Sequence, residues 1–333
     1  MLRIGILGAA RIAPAALIKP AKEHSHVTVA AIAARDESKA RAFATKHEIP
    51  TVHTSYDALL GDNDIDAIYN PLPNGLHGHW TIKALEAGKH VLCEKPFTAN
   101  AAEAEHVASV ASECPELTVM EAFHWRYHPL AQSLVDIVAN GELGEIERIT
   151  TAMCIPLPLR NDIRFQSRLA GGSLMDVGCY AIHKNRTLAG EEPTVVSARA
   201  KSLKRDPSID RWITAELAYP SGTKGTIHAA LWSSQLLRIT IKVVGTKGEL
   251  RVFNATQPAL YHRAFVHTGG TKRSAKSLDK RSTYWHQVDA FAATVNGASD
   301  RNLTGLTNAV ANMRVVDAIY ESAGLAPRQP TTM

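Results

Sequence analysis

The sequence predicts an α/β domain with a doubly wound parallel sheet, followed by an α+β domain with a large open antiparallel sheet. At about 150 residues per domain, a chain of 333 residues suggests two domains. Residues 1–124 alternate short apolar runs with segments whose apolar residues recur at three and four, which is typical of parallel strands joined by helices. In residues 125–333, strand-like segments follow one another through short turns, which favours antiparallel pairing.

In the first domain, strands and helices are predicted to alternate. Strands are predicted at 3–7, 27–33, 65–69, 90–93 and 117–120. Helices are predicted at 38–47, 55–60, 76–87 and 101–112. Several of these strands are apolar along their whole length, as expected when helices cover both faces of a sheet.

The second domain is predicted to begin with a helix and to continue mainly as strands. The first helix covers 130–139, and strands are predicted at 146–153, 194–203, 211–219, 223–232, 237–244 and 249–253. Further helices are predicted at 173–188, 284–295 and 307–323. A sheet with helices on one face leaves the other face open, so we expect a homodimer or homotetramer formed through that face.

Composition argues against several classes of protein. The formal charge of +5 is mild, and the densest basic stretch, 272–281, lacks aromatic residues for base stacking, so we expect an exposed loop there and no nucleic-acid binding. The four cysteines lack CxxC spacing, as is typical of reduced thiols in a cytoplasmic protein. No HExxH or HxH pair is supported by acidic residues, so we expect no metal site. No apolar stretch is long enough for a membrane span.

The first strand leads into a turn of small residues. In the stretch IGILGAARIAP, Gly8, Ala10 and Ala13 have the spacing of G-x-G-x-x-G. Small residues at these positions let the backbone approach a pyrophosphate at the N-terminus of the following helix. A tight strand-to-helix turn without a ligand would have the same composition. The position at the start of a β–α–β unit favours the dinucleotide interpretation.

The end of the second strand favours NADP over NAD. A site for NAD usually has an acidic residue there, which binds the ribose hydroxyls. In this sequence Arg35 stands at about that position, and Asp36 follows it. A guanidinium can pair with the 2′-phosphate of NADP and stack on adenine. The alternative is a solvated surface arginine.

Proline and polar residues follow the strand predicted at 65–69. Pro71 ends the strand and leaves a rigid loop at the carboxyl end of the sheet, where such sheets bind ligands. Asn74 and His77 follow, and both are candidates for contact with the cofactor. Asn74 could equally cap the next helix, and His77 could be structural.

The strand predicted at 90–93 ends in Glu94, Lys95 and Pro96. By the same rule these residues lie at the mouth of a ligand cleft. A partly desolvated lysine near a cationic nicotinamide ring would have a lowered pKa and could exchange a proton with substrate. The alternative is that Lys95 pairs with a carboxylate and only orients substrate.

A second group of candidates lies on the helix predicted in the middle of the second domain. Asp176, Tyr180 and His183 are spaced to share one helix face. Together with Lys95 they would form an acid–base cluster able to move the proton of a carbinol. The alternatives are that Ser173 and Asp176 form a helix-capping box, and that Tyr180 and His183 are packed structurally.

The segment FHWRYHP, residues 123–129, lies at the predicted domain junction. Arg126 is a candidate for contact with the cofactor, and Tyr127, like His183, is a candidate for contact with substrate. A packing seam between domains would also account for this cluster.

These motifs together resemble the glucose–fructose oxidoreductase, inositol dehydrogenase and dihydrodiol dehydrogenase family (Gfo/Idh/MocA). The resemblance spans nearly the whole chain and is carried by GAARIA, ARD, AGKHVLCEKPF, EAFHWRYHP and GGSLMDVGCYAIH, with Pro73-Asn74 and His77. GAARIAP, RYHP and LMDVGCY are similar to the dihydrodiol dehydrogenase branch, which prefers NADP. The resemblance implies a Rossmann domain, an open antiparallel sheet, bound NADP or NAD, and a sugar, polyol or related alcohol as substrate.

The resemblance also implies roles for particular residues. The lysine of EKP, here Lys95, is catalytic, and its bond to the following proline is often cis. Asp176 and Tyr180 match the second catalytic motif, with tyrosine where inositol-type members have histidine. Arg11 and Ile12 belong to the cofactor turn.

The sequence therefore predicts an NADP-dependent oxidoreductase of sugars, polyols or cyclic diols. In this hypothesis Lys95 and Tyr180 handle the hydroxyl proton, and Asp176 holds the network in charge and orientation. One alternative is a non-catalytic regulatory protein that binds a sugar and a dinucleotide. Another is an enzyme that retains its cofactor and passes redox equivalents between two substrates.

Overall fold

The computed structural model describes residues 1–158 and 162–332. The chain divides into two compact units. The first consists of Met1–His124 with Tyr284–Val310, and the second of Trp125–Thr283 with Ala311–Met333. The predicted domain limits were 1–124 and 125–333. They did not assign Tyr284–Val310 to the first unit, because no change in composition marks this segment. These limits stay a prediction.

The first unit is built on a parallel sheet. Its strands are β1 (Leu2–Leu7), β2 (Val27–Ala33), β3 (Thr51–His53), β4 (Ala67–Asn70), β5 (His90–Cys93) and β6 (Val119–Glu121). Its helices up to this point are α1 (Lys19–Lys22), α2 (Glu37–His47), α3 (Tyr56–Leu60), α4 (His77–Glu86) and α5 (Ala101–Ser112). A π-helical turn, Pro14–Ile18, leads from the end of β1 into α1.

The strand order is β3-β2-β1-β4-β5-β6, and every neighbouring pair is parallel. The order reverses between β1 and β4, which is the place where doubly wound sheets bind ligands. This confirms the predicted fold of the N-terminal part of the chain. The prediction missed β3, because this strand is short, is nowhere fully buried and pairs only with β2, so it lacks an apolar run.

The second unit contains most of the remaining elements. After α6 (Pro129–Ala139) come β7 (Ile146–Cys154) and α7 (Cys179–Ala189). The strands that follow are β8 (Thr194–Ser202), β9 (Asp210–Ala218), β10 (Lys224–Ala230), β11 (Arg238–Gly245), β12 (Gly248–Phe253), β13 (Arg263–Thr268) and β14 (Thr271–Ser274). The chain closes with α8 (Thr283–Val295) and α9 (Leu306–Ser322).

These strands form one sheet of order β14-β13-β12-β11-β7-β10-β9-β8. All neighbouring pairs are antiparallel except β7 and β10, which are parallel. The predicted open antiparallel sheet is therefore confirmed, with one parallel pair at its centre. The prediction missed β13 and β14. The first residues of the loop expected at 272–281 belong to β14, an exposed edge strand whose polar sequence does not predict a strand.

One face of this sheet is buried under α6. Leu130, Leu134 and Ile137 of the helix pack in one core with Ile149 of β7 and residues of the neighbouring strands. The other members of this core are Leu143, Leu188, Ile241, Val243, Leu250, Val252, Ala255, Ala264, Val266 and Ala275. On β11, β12 and β13 the residues that alternate with these core positions are half-buried or exposed, as the period of two requires.

Candidate active site

The turn after β1 has the conformation that a nucleotide-binding turn requires. Gly8 has a φ of +86°, and a Cβ there would lie 3.1 Å from the Cδ2 atom of Leu72. Ala10 is half-buried, whereas Arg11 and Ile12 are exposed at the surface of the turn. A glycine is needed at this positive φ, so the turn fits the close approach of a pyrophosphate.

At the end of β2, Arg35 and Asp36 have different roles. Asp36 is the N-cap of α2, where its carboxylate accepts hydrogen bonds from the Ser38 hydroxyl at 2.6 Å and the Lys39 amide at 3.3 Å. These hydrogen bonds, that from Ser38 first, lower the pKa of the Asp36 carboxyl. Arg35 is exposed at the strand end. The acidic residue is thus engaged in capping, and Arg35 remains the candidate for the ribose end of a cofactor.

Pro71 and Asn74 lie in the loop after β4. Pro71 is buried, and Asn74 is half-buried in a 3₁₀ turn, Asn74–Leu76, that leads into α4. Helix α4 has no side-chain capping bond at its N-cap, Leu76. The roles of Asn74 as a helix cap and as a contact of the cofactor both stay predictions.

His77 connects the loops that follow β4 and β5. Its side chain is 1% exposed. Its Nδ1 atom lies 2.7 Å from the carbonyl oxygen of Pro96, and its Nε2 atom lies 2.7 Å from that of Leu72. Burial lowers its pKa to about 4, so at neutral pH the imidazole carries one proton and donates it to one of the two carbonyls. A direct contact with the cofactor stays a prediction, and the structure shows a loop-bridging role.

Glu94 and Lys95 follow β5 directly. The hydroxyl of Tyr69 donates a hydrogen bond of 2.8 Å to Oε1 of the buried Glu94. The Glu94 amide donates to the carbonyl of Asn70 at 3.0 Å, which ties the ends of β4 and β5 together. Lys95 is half-buried, and its bond to Pro96 is cis, as the family resemblance implied. Lys95 thus stands on a fixed backbone at the carboxyl edge of the sheet.

In the second unit, Asp176 and Tyr180 lie on a helix that does not begin as predicted. A π-helical turn, Leu174–Gly178, precedes α7. Because a π turn has more residues per turn than an α-helix, Asp176 does not continue the regular spacing of Tyr180 and His183, and the face that the three residues were expected to share stays a prediction. Ser173 makes no side-chain capping bond, so the capping-box alternative is wrong.

Asp176 forms an ion pair that the sequence did not reveal. Its Oδ1 atom lies 2.9 Å from Nε of Arg164, which also pairs with Asp162 at 3.0 Å. The Asp176 carboxylate, followed by that of Asp162, raises the pKa of the Arg164 guanidinium. Arg164 shares no regular element with Asp176, so no spacing rule could have linked the two.

A buried carboxylate on β9 fixes the start of this helix. Asp210 is fully buried, and it accepts hydrogen bonds from the Ser173 hydroxyl at 2.6 Å and the Leu174 amide at 2.7 Å. It also accepts from the Tyr320 hydroxyl at 2.9 Å and from Nη2 of Arg328 at 2.7 Å. Asp210 therefore performs the capping that Ser173 does not.

Arg328, near the C-terminus, extends this network to the residues before the helix. Its Nε atom donates to the carbonyl of Gly171 at 2.8 Å. Gly172 has a φ of +139°, and a Cβ there would lie 2.2 Å from Oδ1 of Asp210. A side chain at this position would displace the network, which explains the glycine in GGSLMD.

The other predicted residues are largely buried. His183 is fully buried, and its Nδ1 atom accepts a hydrogen bond of 3.2 Å from Nε1 of Trp125. Tyr127 is 3% exposed. Arg126 is half-buried, and its Nη1 atom donates to Oε1 of Gln132 at 3.3 Å. Their contacts with substrate or cofactor stay predictions.

The part of the chain that the structure describes contains neither a membrane-spanning helix nor a metal-binding cluster. Within 1–158 and 162–332, no helix is both long and apolar enough to cross a membrane. In the same ranges, no group of three or more His, Cys, Asp or Glu side chains is placed to hold a metal ion.

The strand order and the turn of the first unit are those of dinucleotide-binding domains. The profile of GFO_IDH_MocA, described as an oxidoreductase family with an NAD-binding Rossmann fold, matches residues 2–122, and that of the GFO/IDH/MocA C-terminal domain matches residues 131–251. The chain therefore belongs to the GFO/IDH/MocA family, and the prediction of this family is confirmed.

Named relatives are similar to the chain over most or all of its length. It is 38% identical to D-xylose 1-dehydrogenase (NADP(+)) 2 of Haloferax volcanii, over 97% of each chain. It is 35% identical to human trans-1,2-dihydrobenzene-1,2-diol dehydrogenase, over 71% of this chain and 68% of the relative. The structure of an aldose–aldose oxidoreductase from Caulobacter crescentus is similar with a TM-score of 0.88 and 26% identity, over 97% of each chain. The prediction that the chain is an oxidoreductase is confirmed.

Proposed function

We propose that the protein is an NADP(H)-dependent dehydrogenase or reductase that acts on CH–OH groups of a sugar, polyol or cyclic diol. The observation that carries the proposal is Lys95, a half-buried amine fixed at the carboxyl edge of the parallel sheet. The relatives support the substrate class, since one is named as a dehydrogenase of D-xylose and another as a dehydrogenase of a cyclic diol.

NADP, when bound, supplies the capacity to accept or donate a hydride. The conformation of Gly8 and the exposure of Arg35 support its binding in the first unit. We assign the pyrophosphate to the turn at Gly8 and Ala10, beside Arg11 and Ile12, and the 2′-phosphate to Arg35. The other residues assigned to cofactor contact are Pro71, Asn74, His77, Glu94, Lys95 and Arg126.

The protein's own residues must transfer the hydroxyl proton of the substrate. When a carbinol is oxidised to a carbonyl, two electrons leave with the hydrogen of the C–H bond, and the hydroxyl proton must be accepted by a base. We assign this proton to Lys95 and Tyr180, which return it in the direction of reduction. Asp176, held by Arg164, keeps the charge and orientation of the proton-transfer groups. Tyr127 and His183 are assigned to substrate contact.

The experiment is a screen of sugars, polyols and cyclic diols with NADP and NAD, followed at the nicotinamide absorbance. Turnover with NADP that is lost in Lys95→Met and retained in the control Lys83→Met supports the proposal. Lys83 is an exposed lysine on α4, so its substitution tests the effect of losing a charge elsewhere on the same unit. Cofactor binding without turnover on any compound would favour the regulatory alternative.

A second candidate is an enzyme that retains its cofactor and transfers redox equivalents between two sugars. The likeness to the aldose–aldose oxidoreductase favours it. Such a protein would absorb in the nicotinamide band as purified and would reduce one aldose at the expense of another without added NADP. A cofactor-free purified protein that needs added NADP would exclude this candidate.

We also propose that the protein is a homodimer or homotetramer formed through the open face of the large sheet. Trp212, Phe253 and Phe265 support this, because they are half-buried aromatic residues, each next to a buried residue on its strand. Light scattering after gel filtration gives the mass, and Phe265→Glu is expected to dissociate the assembly. The four cysteines are free thiols, which supports a cytoplasmic location.

A further inference from the structure

A lysine lies buried one helical turn after Tyr180. Lys184 is 2% exposed. Its Nζ atom is 5.6 Å from the ring centroid of Tyr180 and 5.6 Å from that of Trp125. It donates a hydrogen bond of 2.5 Å to the hydroxyl of Thr256. Two aromatic faces and one hydroxyl therefore surround this amine.

This environment is unusual for a lysine. Buried lysines are rare and are ordinarily paired with a carboxylate, because an unpaired charge is costly to desolvate. In the described part of the chain, Lys184 forms no ion pair with an acidic residue. Burial lowers its pKa to about 7, against the opposing effect of the Cys179 thiol. Near neutral pH the amine can therefore gain or lose a proton.

We propose that Lys184 is a positioning residue for Tyr180: when it is protonated, the Lys184 amine over the ring makes ionisation of the phenol easier. A cation near an acid stabilises its charged form, and a cation over an aromatic face also holds the ring in place. The proposal rests on the proposed function, in which Tyr180 gives up and recovers a proton. The electrostatic effect of Lys184 concerns the ionisation of Tyr180 alone, so it can be measured without an assay of turnover.

The groups around Lys184 leave few other candidates for this effect. On α7 the titratable neighbours are Cys179, Tyr180 and, behind the indole of Trp125, His183. Trp125 does not titrate. On the sheet side Lys184 contacts the hydroxyl of Thr256, after β12, which lies 3.8 Å from the sulfur of Met153, and neither group titrates in this pH range. A change in the ionisation of Tyr180 on substitution of Lys184 would thus report on the amine.

The test is a titration of the tyrosine Cζ signals by ¹³C NMR, from about pH 7 to about pH 11. The spectrum of Tyr180→Phe identifies the signal of Tyr180. The wild-type amine has a pKa of about 7 and is neutral over most of this range, so the charged comparison is Lys184→Arg, whose guanidinium stays protonated. In Lys184→Arg the phenol is expected to ionise at least about one pH unit lower than in Lys184→Met, whereas the exposed control Lys201→Met should match the wild type. Ionisation at the same pH in Lys184→Arg and in Lys184→Met would overturn the proposal.

Turnover separates this proposal from the proposed function. If both hold, Lys184→Met lowers kcat below about pH 7, where the wild-type amine is charged, the loss disappears at higher pH, and the variant has no further effect in a Tyr180→Phe background. A phenol that shifts in Lys184→Arg while kcat of Lys184→Met stays unchanged would overturn the role of Tyr180 in proton transfer and leave the electrostatic effect of Lys184 standing. Folding of the variant is expected, since replacing a buried charge by an apolar residue of similar length is often stabilising.

Discussion

The two units hold their candidate catalytic groups in different ways. In the first unit, Lys95 lies two residues after β5, and its neighbours are held by backbone groups: a parallel strand on one side and a histidine between two carbonyls on the other. In the second unit, Asp176 depends on the side chain of Arg164, and the helix start depends on Asp210. The first unit therefore positions its candidate catalytic group at the end of a strand, and the second unit positions its candidate group by ion pairs and hydrogen bonds between side chains.

This difference determines how each unit should respond to substitution. Positions set by strand ends tolerate loss of a side chain, so a change at Lys95 should remove chemistry and little else. Positions set by side chains that are far apart in sequence, such as Asp210 and Arg328, should lose stability when one partner is removed.

The largest effect is expected at Lys95. Lys95→Met should lower kcat by about 10²- to 10⁴-fold, because it removes a group that exchanges the substrate proton. The affinity for NADPH, measured by fluorescence titration, should stay largely intact. Lys83→Met is the control, and near-normal turnover in Lys95→Met would show that strand position alone does not make this lysine catalytic.

The next effect is expected at Asp210, and it should appear in stability. Asp210→Ala removes the acceptor of four hydrogen bonds and leaves the buried guanidinium of Arg328 without its carboxylate. The free energy of unfolding in urea should fall by about 3–5 kcal/mol. In the control Arg41→Ala, which breaks an exposed ion pair with Glu37, the loss should be about 0–1 kcal/mol. Equal losses in the two variants would contradict the view that this network holds the second unit.

A smaller effect is expected at Arg35 in the first unit. Arg35→Asp should weaken NADPH binding by about 10- to 100-fold, since a charge-assisted hydrogen bond is worth about 1.5–3 kcal/mol. The same change should strengthen NADH binding. Calorimetric titration with both cofactors checks this, with Arg41→Asp as the control on the adjacent helix. An unchanged preference for NADPH in Arg35→Asp would remove the assignment of the 2′-phosphate to this residue.

The smallest effect concerns the pH dependence of stability in the second unit. Lys184 has a pKa of about 7 in the folded protein and an ordinary value of 10.5. Between these values the unfolded chain binds more protons, so the contribution of Lys184 to the free energy of unfolding should rise with pH by about 1 kcal/mol per unit. Urea unfolding of the wild type and Lys184→Met, from about pH 6 to about pH 9, measures the difference. If the gain in stability of Lys184→Met is the same throughout, Lys184 does not titrate in this range.

The same difference explains what the sequence could predict. Gly8, Arg35 and Lys95 were predictable because each follows a strand, and strand ends in a parallel sheet meet at one edge. Strands β3 and β14 were missed because they are short and have no buried residue, so their sequences lack the apolar run by which a buried strand is predicted.

Arg164, Asp210 and Arg328 were missed for another reason. Each contacts residues around the GGSLMD segment only through the tertiary fold, and no local spacing links them to it. Lys184 lies four positions after Tyr180 in the sequence, but the polar residues around it give no indication that it is buried. The π turn before α7 also has no sequence signal of its own, so the sequence could not show that Asp176 lies before the regular α-helix.

The central claim is that Lys95 and Tyr180 serve one proton-transfer reaction. A double-mutant cycle tests it most directly, with kcat/KM measured for the wild type, Lys95→Met, Tyr180→Phe and the double variant on one substrate. Residues that act as a unit are strongly non-additive, so the double variant should be about as impaired as the worse single variant. Losses that multiply, as for independent sites, would contradict the account.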